Sequence, residues 1–132
     1  MIPDLDHIGI AVSNLQDVID TMKNVFNTEP DFYEDVADQK VRIAGYKNET
    51  TTLEYFEPTS DDSPIIKFLN KRGNGLHHIA LRVPDLEKKL GELKAKGLKL
   101  IDQSPRIGAS GKKIAFIHPE SCNGILVELC EI

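Results

Sequence analysis

Residues 5–15, "LDHIGIAVSNL", lie without a gap over residues 76–86, "LHHIALRVPDL", and this internal match decides the fold. Leu5 falls on Leu76, His7 on His78, Ile8 on Ile79, Val12 on Val83 and Leu15 on Leu86. The shared position that is not apolar is His7 with His78. His77 falls on Asp6 and has no counterpart histidine. Both stretches read as strands, and successive strand side chains point to opposite faces, so the adjacent pair His77 and His78 is not expected to act as one clamp.

The segments downstream of the two copies are also parallel. "LQDVIDTMKNVF" puts Leu15, Val18, Ile19, Met22, Val25 and Phe26 on one helical face, and "LEKKLGELKAKG" repeats Leu86, Leu90 and Leu93 at helical spacing. Asp85 can cap the second helix and Gly97 can end it. Three strand candidates come after each helix: "DFYEDV", "KVRIAGY" and "TTLEYFE" in the first half, "LKLIDQ", "KKIAFIH" and "GILVELCE" in the second. The connector "SDDSPIIKFLNKRGNG" reads as a short amphipathic helix, with Asp62 or Ser63 to cap it, Pro64 in its first turn and Gly73 to close it. The expected architecture is α+β: two βαβββ modules, residues 5–58 and 75–132, joined by residues 59–74. They form a single domain over 1–132 whose eight strands curl into an incompletely closed barrel.

Period-two reading places His7, Gly9 and Ala11 on one face of the first strand, and His78, Ala80 and Arg82 on the matching face of the second copy. Ile8, Ile10 and Val12, like Ile79, Leu81 and Val83, should meet the helices. The last strand of each half carries an acid, Glu54 in "TTLEYFEP" and Glu128 in "GILVELCEI", where an unpaired carboxylate is costly to bury. A lone strand histidine is more often a satisfied core residue than a ligand. Two at equivalent places of a repeat, with two matching acids, form a sensible first shell for a divalent metal: His7, Glu54, His78 and Glu128. Imidazole with carboxylate suits Fe, Co, Ni, Zn or Mn, and the absence of sulfur from the set argues against a closed structural zinc site. His118 reads as a turn residue. Lys88, Lys89, Lys94 and Lys96 read as the solvated face of the second helix.

Composition narrows the partners. A net charge of -5 over 132 residues argues against nucleic acid and anionic membranes as partners. Cys122 and Cys130 do not make a disulfide framework, and neither a leader nor a membrane-length apolar run is visible, so a reducing cytoplasm is the expected location.

The paired modules, with candidate ligands on the first and last strand of each, resemble the vicinal oxygen chelate (glyoxalase-type) superfamily. Within it, "DSPIIKFLNKRGNGLHHIALRV" and "RIGASGKKIAFIHPESCNGILVEL" strongly resemble the methylmalonyl-CoA epimerase family. The resemblance implies metal ligation by His7, His78 and Glu128, with Glu54 at the fourth position. The ion would be Co, Ni, Zn or Mn. It implies epimerisation of (2R)/(2S)-methylmalonyl-CoA by proton abstraction at C2 through a metal-stabilised enolate, with Glu128 as one base. The family's Glu-Gln-Gly-Val is Asp38-Gln39-Lys40-Val41 here, which makes Asp38 the candidate second base. Arg106, Ser110, Lys112 and Lys113 would hold the phosphates of an acyl-CoA substrate, and a homodimer is compatible with the family. Two alternatives share the fold. Lactoylglutathione lyase uses the same ligand set but a shorter Asp-Pro-x-Gly turn than the "HPESCNG" found here. A metal-free small-molecule-binding protein of this fold usually lacks the ligand residues.

Overall fold

The computed structural model describes residues 1–132. The elements run β1 (Leu5–Ala11), α1 (Leu15–Phe26), β2 (Phe32–Val36), β3 (Val41–Lys47), β4 (Thr52–Pro58), α2 (Ile65–Arg72), β5 (Gly75–Val83), α3 (Leu86–Ala95), β6 (Arg106–Ile107), β7 (Lys113–Ile117) and β8 (Val127–Glu131). The strand order is β2-β3-β4-β1-β5-β8-β7-β6. The chain forms two compact units, Ile8–His77 and Met1–His7 with His78–Ile132, so β1 begins in one and ends in the other.

In the Ile8–His77 unit, β2, β3 and β4 are antiparallel neighbours. Helix α1 starts where the Asn14 side chain accepts from the Asp17 amide, and it stops at Asn27 in the left-handed region, φ 52°. Its buried contact is Leu15 with Val12 and Ala44, flanked by half-buried Ile10, Val18, Ile19 and Tyr55. The apolar face expected along the whole helix is only partly used. Val25 and Phe26 remain 62% and 67% exposed because the last turn runs past that cluster. Helix α2 forms as expected and closes at Gly73, φ 71°, but neither Asp62 nor Ser63 caps it. The Ser63 hydroxyl instead donates to the Gln39 carbonyl at 3.0 Å, and Asp62 pairs with Lys40.

Gly45 is required by close packing. It stands opposite both Phe32 and Glu54 in register, and a Cβ there would lie 2.0 Å from the Phe32 ring. Gly45→Ala should therefore destabilise the chain by about 1–3 kcal/mol, the usual cost of overpacking. Urea unfolding checks this, and adding Phe32→Leu should recover part of the loss.

In the other unit, β5 and β8 are parallel and β7 is antiparallel to β8. Asp85 caps α3 through the Lys88 amide at 3.1 Å. Leu86 and Leu90 pack onto Val83, Ala115, Ile117 and Leu129, the odd-numbered face of the sheet. The strand expected over "LKLIDQ" is reduced to a single bridge, Leu100 to Ile117, and β6 lies further on, at Arg106–Ile107. Asp102 explains the break: its carboxylate accepts the Phe116 amide at 2.8 Å, taking a donor that a continuing strand would pair through backbone. No helix is long and apolar enough to cross a membrane.

Candidate metal centre

Ala80, Glu128 and Phe116 are register neighbours across β5, β8 and β7, so their side chains share one face, opposite the face that meets α3. The residues two places along, His78 and Cys130, share that face. The small side chain of Ala80, fully buried beside Glu128, leaves the carboxylate room. The Phe116 ring meets the His78 imidazole edge-on at 5.3 Å.

His7, His78 and Glu128 come together here. His7 Nε2 lies 3.1 Å from His78 Nε2, Glu128 Oε2 lies 3.4 Å from His7 Nε2, and Glu128 Oε1 lies 3.4 Å from His78 Nε2. These separations fit a shared divalent ion. Ligands about 2.1 Å from a metal stand roughly 3.0 Å apart at adjacent octahedral corners and roughly 3.4 Å apart in a tetrahedron. The donor set, two borderline imidazoles and a carboxylate, suits a first-row transition ion. Burial works to raise the Glu128 pKa, but the His7 and His78 imidazoles that face it outweigh this and hold the carboxyl well below the usual range.

Two neighbours of this triad escape the sequence pattern. Asp6 is 7% exposed, and its carboxylate accepts from His7 Nδ1 at 2.7 Å, from Arg82 Nε at 2.9 Å and from Lys112 Nζ at 2.9 Å. These donors, His7 foremost, lower its pKa against the opposing effect of burial. Strand alternation alone hides the Asp6–His7 contact, since adjacent residues nominally face apart. The available signal is an acid inside an apolar strand beside a candidate ligand. The Cys130 thiol is the second neighbour. It donates to Glu128 Oε2 at 2.8 Å, and burial pushes its pKa up to about 12, which keeps it a donor.

Each remaining candidate has surroundings of its own. Glu54 is buried in β4 of the other unit, opposite Gly45. His77 is held in that unit by the Phe56 and Phe68 rings, at 5.4 and 5.0 Å. Asp38 is exposed in the β2–β3 turn. That turn is pinned by Thr59 N to Lys40 O at 2.8 Å and by the Ser63 and Asp62 contacts above. Lys40, which stands where the resembled family has glycine, adopts φ 53°. Arg106 lies 3.2 Å from Asp102 and over the Phe116 ring at 5.4 Å. Lys112 is engaged by Asp6, and Lys113 has Glu131 at 3.9 Å. Ser110 sits in a tight turn at φ 61°.

Residues 6–116 match the family model of the Glyoxalase/Bleomycin resistance protein/Dioxygenase superfamily. An uncharacterised protein of Bacillus subtilis (strain 168) is 47% identical over 127 residues, covering 96% of this chain and 91% of the relative. The mitochondrial methylmalonyl-CoA epimerase of Dictyostelium discoideum is 41% identical over 128 residues, covering 96% of this chain and 77% of that protein. A solved structure of a Streptomyces coelicolor methylmalonyl-CoA epimerase variant, in complex with 2-nitronate-propionyl-CoA, matches with a TM-score of 0.90 and 32% identity. That match covers 99% of this chain and 95% of the other, so the α+β fold with its eight strands is shared almost end to end. The chain thus belongs to the Glyoxalase/Bleomycin resistance protein/Dioxygenase superfamily and, within it, to the methylmalonyl-CoA epimerase family of isomerases.

Proposed function

We propose that residues 1–132 act as one domain that interconverts the C2 epimers of methylmalonyl-CoA with the help of a divalent ion. The observation that carries the reading is the buried Glu128 with each carboxylate oxygen 3.4 Å from a different imidazole, His7 or His78. His7, His78 and Glu128 would hold the ion. Glu54, a buried acid at the repeat position matching Glu128, is proposed as the fourth ligand. Bound there, a Co, Ni, Zn or Mn ion supplies Lewis-acid stabilisation of the negative charge that develops when C2 loses its proton.

The chain's own groups move that proton. Inversion needs an acceptor on one face of C2 and a donor on the other. Glu128, ionised at neutral pH, is the acceptor on one face. Asp38, on a turn tied down at Gln39 and Lys40, serves the other and exchanges its proton with solvent. A proton leaving to one carboxylate and arriving from the other inverts C2 with no net change in the enzyme once the two re-equilibrate. Arg106, Ser110, Lys112 and Lys113 are proposed to contact the CoA portion, with Lys113 offering the charge least engaged by a neighbouring acid. Relatives bearing the epimerase name, and one held with a CoA-linked nitronate, support a CoA thioester substrate. Two unpaired thiols suit a reducing compartment, and we place the enzyme in the cytoplasm.

Protein loaded with Co or Mn and given (2R)- or (2S)-methylmalonyl-CoA in D2O should incorporate deuterium at C2 and interconvert the epimers. Absence of exchange, with isomerisation of a glutathione hemithioacetal instead, would replace this reading by the lyase. Neither reaction would leave a non-catalytic binder.

A further inference from the structure

Asp6 has more hydrogen bonding than a buried acid needs to be tolerated. Arg82 and Lys112 both reach its Oδ1 at 2.9 Å, enough to offset one negative charge removed from water. The other oxygen, Oδ2, is left for His7 Nδ1 at 2.7 Å, the shortest of the three contacts. A carboxylate flanked by two cations is ionised and can only accept, so the hydrogen of this bond belongs to Nδ1. In the neutral ring that leaves the lone pair on Nε2. Nε2 is the atom that faces His78 Nε2 at 3.1 Å and Glu128 Oε2 at 3.4 Å. A carboxylate behind a ligand histidine fixes both its tautomer and its ring orientation.

The internal repeat isolates this feature. At the position equivalent to Asp6 the second half carries His77, which packs against Phe56 and Phe68. The two ligand histidines are thus preceded by different residues, and the short acid contact belongs to His7.

We infer that Asp6 is a positioning residue that holds His7 as its Nδ1–H tautomer, with Nε2 directed at the site where His78 and Glu128 converge. This inference rests on the metal-binding reading above but makes a separate demand, on the state of one ring before any ion is added. Lys112 has a consequent role. By neutralising Asp6 from the Gly108–Lys112 turn it supports the carboxylate without touching the imidazole.

The tautomer is read in the full-length, metal-free protein by long-range proton–nitrogen correlation of the histidine rings. Spectra are recorded at about pH 8.5, above the reference histidine pKa of about 6.5. Wild type should show His7 protonated at Nδ1, and Asp6→Asn should shift it toward a mixture or to Nε2–H. Affinity for Co2+, from titration against a competing chelator, should fall about 10–100-fold in Asp6→Asn. Lys112→Met, which disturbs the same ion cluster but keeps the Asp6–His7 bond, should retain the Nδ1–H form and bind Co2+ within about threefold of wild type, well short of that range. An Nε2–H His7 in the wild type overturns the inference. So does an Asp6→Asn protein that binds Co2+ as tightly as wild type, or a Lys112→Met protein that loses as much affinity as Asp6→Asn. A wild type that binds no Co2+ or Mn2+ is a different failure, since it removes the metal reading on which the inference rests. If Asp6→Asn is too unstable to study, Asp6→Glu provides the ring spectrum, and an unchanged tautomer with Co2+ affinity restored to near wild type would support the role.

Discussion

His78→Ala should abolish tight binding of a divalent ion, while His77→Ala should keep it. The two histidines are adjacent in β5, carry the same chemistry and differ in which way they point. His78 places Nε2 3.1 Å from His7 Nε2 and 3.4 Å from Glu128. His77 instead meets the rings of Phe56 and Phe68. Removing a direct ligand should cost more than the 10–100-fold typical of losing a supporting partner, so His78→Ala is expected to lose over about 100-fold in affinity. C2 proton exchange should fall with it. His77→Ala loses two edge-on ring contacts, each worth about 0.5–1.5 kcal/mol, and should unfold at lower urea with metal affinity nearly intact. Titration with Co2+ followed by urea unfolding separates the two variants. Equal loss of affinity in both would overturn the assignment of faces in β5.

This contrast is legible in the sequence because the repeat supplies an internal control: His78 aligns with His7, and His77 with an aspartate. The same periodicity places the helix-facing residues. Val83 does pack on Leu86 and Leu90, with Leu81 half-buried against them. It fails where a side chain competes with backbone. Asp102 takes the Phe116 amide and ends a strand that composition alone would continue. Ser63 spends its hydroxyl on Gln39 rather than on the start of α2. Asp6 escapes notice for a related reason. Alternation describes the direction in which a side chain leaves the backbone, whereas the carboxylate and the imidazole Nδ1 meet beyond that point. Patterns of period two or 3.6 report which face is apolar, and they do not report which polar atoms find one another.

Glu128→Gln and Asp38→Asn should both stop epimerisation, and deuterium incorporation should tell them apart. Glutamine keeps the size of Glu128 but removes the negative charge that faces both imidazoles and, with it, the carboxylate proposed to accept the C2 proton. It also turns one accepting atom into a donor beside His7 or His78. Exchange at C2 and interconversion should therefore fall together, by at least the 10²–10⁴-fold (roughly) contributed by a positioned acid or base. Asp38→Asn leaves that side of the reaction in place. One epimer should still lose its C2 proton to Glu128 and regain deuterium from the same face, so label enters without inversion. Interconversion should fall by about 10²–10⁴-fold while exchange into that epimer persists. The turn itself should survive the substitution, since its anchors run from Gln39 and Lys40 to Thr59, Asp62 and Ser63 and do not use the Asp38 side chain. Retention of full interconversion in Asp38→Asn would show that another group or solvent reprotonates the second face. Loss of exchange into both epimers would instead make Asp38 part of substrate binding.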